Sequence, residues 1–161
     1  MKTTNYLLLF VFAITFLSCK TEVKKDLTEV KDEVTVVEEK SIYDKLGGEE
    51  GISAAVEAIV ARHLENEDIK HYFLPLVENP EYFNQFKQHV KDFLAAGTGG
   101  EAKYKGRDMV GAHTGLNISE ADFLSGLDDI LFVLDANKVD RISRNELLAT
   151  LYSMKDAVVK Q

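Results

Sequence analysis

From Ser41 onward, apolar residues recur at spacings of three and four, the period of helices that bury one face. Ser41 caps a short helix that stops at Gly47-Gly48. Over Ile52–Leu64 the apolar face is Ile52, Val56, Ile59, Val60 and His63. Glu67–Phe73 predicts a short helical turn ending in the pair Tyr72-Phe73, and Pro75 and Pro80 bracket an irregular stretch. The helix Tyr82–Ala96 carries Phe86, His89, Val90 and Phe93 at spacings of three, one and three, and Gly97, Gly99 and Gly100 end it. A loop with Tyr104 and Gly106 leads to His113. Ser119 caps a helix through Asp135 whose stripe is Phe123, Leu127, Ile130, Leu131 and Leu134. Ser143 with Glu146 reads as a capping box for the last helix, which carries Leu147, Leu148, Leu151 and Met154. No stretch alternates with period two between hairpin signals. The pattern predicts one all-α domain over 41–161, of about six helices around a single core.

The amino-terminal residues follow a different rule. Tyr6–Leu17, YLLLFVFAITFL, is twelve almost wholly apolar residues behind Lys2. At 1.5 Å per residue such a run falls short of a hydrocarbon core of about 30 Å, and it suits the hydrophobic region of a signal peptide. Phe16–Lys20, FLSCK, resembles a bacterial lipobox, with Ser18 at the cleavage point and Cys19 as the acceptor of lipid. Phe16 departs from the usual aliphatic residue there, and an ordinary secretory signal with a chance cysteine is the alternative. Residues 1–18 are thus expected to be a lipoprotein signal peptide, and residues 19–40 a lipidated cysteine and charged tether. Lipidated Cys19 would carry two or more acyl chains, which anchor a protein stably to a membrane where one does not. Localisation at the cell envelope follows, facing either the periplasm or the exterior. Within the tether, Val23, Leu27, Val30, Val34 and Val37 keep heptad spacing. Fewer than three heptads, rich in Val and Thr, favour a solvated and partly helical segment over a coiled coil.

Composition narrows the chemistry. A net charge of −8 without a long basic run argues against a nucleic-acid partner. One cysteine excludes an internal disulfide and any multi-cysteine zinc site. The chain carries no G-x-S-x-G, C-x-x-C or H-E-x-x-H motif. Asp135–Glu146 mimics a calcium loop at four positions. It places Val139 where an oxygen ligand belongs and Asp140 where a glycine makes the turn. Of four histidines, His63 and His71 lie in charge-rich neighbourhoods and read as surface residues. His89 and His113 lie among apolar and aromatic neighbours. Two readings of that pair stay open: hydrogen-bonded core imidazoles, or ligands flanking a flat apolar cofactor such as haem.

Three segments carry a resemblance across Ser41–Lys160: YDKLGGEEGI (Tyr43–Ile52), FLAAGTGG (Phe93–Gly100) and YKGRDMVGAHTGLNIS (Tyr104–Ser119). Together they resemble a group I truncated haemoglobin, the shortened two-over-two globin. The resemblance implies that fold and a haem b cofactor. It makes His113 the proximal iron ligand and Phe73 the phenylalanine that stacks on the porphyrin. His89 matches a position that in some relatives is a second axial ligand, and Met109 would pack beneath the ring. Tyr104, Lys105 and Arg107 fall where partners of the haem propionates would sit. Phe93 continues the same pocket face. The distal side departs from the family's pattern, with Val60 in place of the usual tyrosine, and Phe86 and Val90 where glutamine is common. Leu74–Phe83 is also about five residues longer than in relatives. His89 is then the one polar group left to meet a gas, and dioxygen depends on such a donor far more than carbon monoxide does.

Four functions compete. The first is a lipid-anchored haem protein that reversibly binds oxygen, nitric oxide or carbon monoxide. The second is an enzyme on the same fold, of the nitric oxide dioxygenase or peroxide-using kind. Residues 1–161 hold no flavin or nicotinamide domain, so that enzyme needs an external reductant. The third is an electron-transfer module with iron held by His113 and His89. The fourth is a haem-free interaction domain that docks through its heptad tether.

Overall fold

The computed structural model describes residues 40–161, and each regular element among them is a helix. In chain order they are α1 (Ile42–Lys45), α2 (Gly48–Glu65), α3 (Lys70–Val77), α4 (Pro80–Gly97), α5 (Met109–His113), α6 (Glu120–Ala136), α7 (Arg141–Tyr152) and α8 (Lys155–Val158). The signal peptide, Cys19 and the tether lie outside the described residues.

Local chemistry sets the helix ends. The Ser41 hydroxyl accepts from the Asp44 amide and starts α1. Gly47, at φ 95°, turns the chain into α2, and a side chain at Gly51 would collide with the Leu46 carbonyl. Asn79 caps α4 and Pro80 takes its first position, where a missing amide costs nothing. Ser119 and Asp122 close a reciprocal capping box at the start of α6.

Two expectations about helix ends need correction. Pro75 lies inside α3 rather than at the edge of an irregular stretch. The carbonyl it cannot satisfy belongs to His71, which is exposed and meets water. Asp140, not Ser143, caps α7: its carboxylate accepts from the amides of Ile142 and Ser143. Ser143 is fully buried and donates its hydroxyl to Asp140 at 2.6 Å. These bonds hold the Asp140 carboxyl below its usual range. Asp135 pairs with Arg144 across the same turn, so Asp135 and Asp140 of the calcium-like stretch both serve the connection between α6 and α7.

The core gathers Ile52, Val56 and Val60 of α2 with Leu94 of α4, Leu134 of α6 and Leu147 of α7. The α2 face read from the sequence is the buried face, residue for residue. α2 packs on both α4 and α6, α6 packs on α7, and α5 packs on α8. α1 closes one end, its Tyr43 amide bonded to the Thr98 carbonyl at 2.9 Å.

Candidate functional site

Phe86, His89, Val90 and Phe93 occupy positions i, i+3, i+4 and i+7 of α4 and therefore share one side of it. Phe86, Val90 and Phe93 pack from there against the core that holds Val60, which is 4 % exposed. Phe73, from α3, meets Phe86 with ring centroids 6.1 Å apart. Tyr104 approaches from the loop after α4, edge-on to Phe93 at 5.5 Å and to His89 at 6.2 Å. Its hydroxyl donates to the Arg107 carbonyl at 2.6 Å. A side chain at Gly106 would strike the Tyr104 ring, so this turn requires glycine. Phe93 and Tyr104 also border a cavity of about 330 Å³ whose far side is Leu147, Leu151 and Met154 of the α7–α8 region.

His113 is the last residue of α5, a helix too short to persist alone. Asp108 caps it by accepting from Gly111 at 2.6 Å. Beyond it, the amides of Gly115 and Asn117 both bond the Gln161 carbonyl, and the Lys160 amide bonds Ile118. The His113 Nδ1 lies 2.7 Å from the Met109 carbonyl. A carbonyl only accepts, so Nδ1 carries the proton and the lone pair resides on Nε2. That is the tautomer a metal-binding imidazole requires. Met109 thus orients His113 through its backbone, and its side chain is half-buried. Lys105 and Arg107 are exposed on the Tyr104 loop, free to meet acidic groups at its edge.

These residues fit haem in three respects: an imidazole with Nε2 open, a wall of aromatic and aliphatic side chains, and solvent-facing cations nearby. The structure brings Val60, Phe73, Phe86, His89, Val90, Phe93 and Tyr104 into one continuous set of contacts. His113 and Met109 are joined to each other and, through α5, to α8.

One histidine is not where its neighbours in sequence place it. His63 is buried, not a surface residue, and its Nδ1 lies 3.0 Å from Asp129 Oδ2 on α6. The same carboxylate takes Arg62 Nε at 3.1 Å and Asn66 Nδ2 at 2.8 Å, and Asn66 also reaches Ser125. Burial pushes the His63 imidazole down from its ordinary value, with Asp129 opposing. The His63 ring stacks on Phe73 at 5.0 Å with 22° between planes. The residue before Phe73 is fixed too: the Tyr72 hydroxyl donates to Asp122 at 2.8 Å. Asp129 and Asn66 are absent from the sequence reading. The available signal is spacing, since Asp122, Ser125 and Asp129 stand three and four apart and so form a polar stripe on one side of α6.

Residues 41–160 match the model of the bacterial-like globin family. A group 1 truncated hemoglobin of Tetrahymena pyriformis is 33 % identical over 121 residues, which is 74 % of this chain and 96 % of that protein. The crystal structure of the truncated hemoglobin from the same organism, in its Fe(III) form, superposes with a TM-score of 0.66 at 29 % identity. That match covers 76 % of this chain and all of the other. The 2/2 hemoglobin of a Synechococcus species, solved in the cyanomet state with covalently attached heme, gives a TM-score of 0.64 at 25 % identity, covering 72 % and 94 %.

Proposed function

The chain belongs to the bacterial-like globin family as a group I truncated haemoglobin, and on that premise we propose that it holds haem b through His113 and binds a diatomic gas against the apolar α4 face. The observation that carries the reading is the Met109 carbonyl on His113 Nδ1, which leaves Nε2 as the ligating atom. Bound haem supplies an iron centre that takes oxygen, nitric oxide or carbon monoxide reversibly. The Met109 carbonyl holds the proton on Nδ1 and raises the basicity of Nε2. Phe73, Phe86, Phe93, Val60 and Val90 exclude water. Lys105 and Arg107 offset the propionate charges at the mouth.

His89 is the polar side chain on that face. Its ring already leans on Tyr104 at the pocket wall, which supports a second reading in which His89 serves as sixth ligand and the protein passes electrons. Nitric oxide dioxygenation would be the enzymatic use of the same site, and that use needs an external reductant. The lipobox at Cys19 supports a site of action at the cell envelope, anchored in the membrane.

The test is an absorption spectrum of the full chain, loaded with haem and reduced under nitrogen. A broad high-spin spectrum is expected if His113 alone holds the iron, and sharp, split visible bands if His89 binds as well. His113→Ala should abolish stable haem retention; an unchanged spectrum in that variant would sink the proximal assignment.

A further inference from the structure

The pocket wall contains a buried pair that gas binding does not by itself call for. His63 and Asp129 sit behind Phe73, on the side facing α6. Asp129 is 3 % exposed, and both of its oxygens are occupied by side chains from the end of α2 and its cap: Arg62 on one, His63 and Asn66 on the other. With Nδ1 tied to a carboxylate that Arg62 and Asn66 hold at two further points, the His63 ring has one orientation. The ring's face then meets the face of Phe73, and the opposite end of that contact chain is Phe86 on the pocket side of α4. Arg62 is pinned on its outer side by the Phe132 ring, 4.6 Å from its guanidinium carbon.

We propose that His63 and Asp129 are positioning residues for the haem: the carboxylate fixes the imidazole, and the imidazole's face sets the tilt at which Phe73 meets the porphyrin. The pair acts through Phe73 and touches neither iron nor gas. A chain with Val60 in place of a distal hydroxyl has no polar anchor on α2 at the pocket itself. His63, three residues on, supplies one from behind.

This rests on the haem reading, and the experiment separates the two. The full chain is loaded with haem, oxidised and saturated with cyanide, and the haem-methyl proton resonances are recorded with the rate of haem loss to apomyoglobin. His63→Phe keeps a ring of similar size and cannot donate to Asp129. It should displace the methyl resonances and speed haem loss at least about tenfold. Asp129→Asn keeps one oxygen for Nδ1 but turns an amide donor toward Arg62, and should move both readouts clearly less than His63→Phe does. Ile52→Ala opens the core on the same helix, ~16 Å away, and should lower the urea midpoint with the methyl pattern unmoved. A wild-type pattern in His63→Phe overturns the proposal. So does a displacement as large in Ile52→Ala, or one in Asp129→Asn matching that of His63→Phe. Absence of a Soret band in the wild-type chain would overturn the haem reading, and the proposal with it.

Discussion

α2 meets α4 and α6 by different means. Toward α4 the buried part of the seam is hydrocarbon, with Val56 and Val60 closing on Leu94 among Phe86, Val90 and Phe93, and ion pairs from Glu57 to Lys87 and Lys91 lie at its rim. Toward α6, Leu134 joins the same core, and a turn further along the seam becomes polar: His63, Arg62 and Asn66 converge on Asp129, and Asn66 on Ser125. The first seam tolerates sliding and repacking, because dispersion and water exclusion have little direction. The second fixes distance and angle, because each donor must find its acceptor or stand unpaired in a dry place. Phe73 is joined to both, through Phe86 to the apolar side and through His63 to the polar one.

The sharpest way to break the contrast is to truncate each seam once. Asp129→Ala leaves His63 and Asn66 without their acceptor while the exposed Arg62 turns to water, and should cost about 2–4 kcal/mol. Leu94→Ala on the apolar side should cost about 2–4 kcal/mol, as a cavity that its neighbours relax into. Urea unfolding of both variants checks this; equal and small losses would mean that the polar seam contributes nothing specific.

The two seams should also differ in their response to acid. The folded His63 takes its proton at a lower pH than the unfolded chain does. Its contribution to stability is then complete above about pH 6.5 and is lost as pH falls from there through the folded value. Glu57, held down by hydrogen bonds from Lys87 and Lys91, and Asp122, held down by Ser119 and Tyr72, act only below the ordinary carboxylate range. Unfolding midpoints measured between pH 7.5 and 5 should fall in wild type and flatten in His63→Phe, whereas Leu94→Ala keeps the wild-type slope.

The smallest effect lies at the far end of the polar stripe. Burial, then the bond to Asp122, pushes the Tyr72 phenol up to about 12. The unfolded chain ionises first, so this contribution is lost as pH rises from about 10 toward that value. Tyr72→Phe should cost about 1 kcal/mol at neutral pH and remove that alkaline loss, which unfolding curves at pH 8 and 11 would show.

The same contrast explains what was legible in the sequence. Period-based reasoning counts apolar residues, and the α2–α4 seam is built from them, so Ile52, Val56, Ile59 and Val60 were all assigned to the buried face. Asp122, Ser125 and Asp129 carry the composition of a solvated face, and only their partners on α2 and α3 reveal that they point inward. His63 was assigned to the helical face by spacing and to the surface by its charged neighbours; the spacing was the better guide. Asp140 and Ser143 are both good caps three residues apart, and no local pattern decides which one the helix uses. Pro75 stays helical because its helix is short and open to water on that side. The aromatic face of α4 is more legible than the polar seam behind it, since Phe86, His89, Val90 and Phe93 fall on one face by count alone.

α5 has a further consequence, for the moment at which the site comes into being. His113 stands on five residues of helix, and the loop that follows is tied to the backbone of Gln161 by two amide bonds. The wall from α2 to α4 is assembled from residues 48–104, whereas the segment carrying His113 is tied only when Gly115 and Asn117 meet residue 161. The two parts of the site therefore rest on contacts of different reach along the chain, and the His113 side takes its place only after the backbone beyond α8 has come back to it.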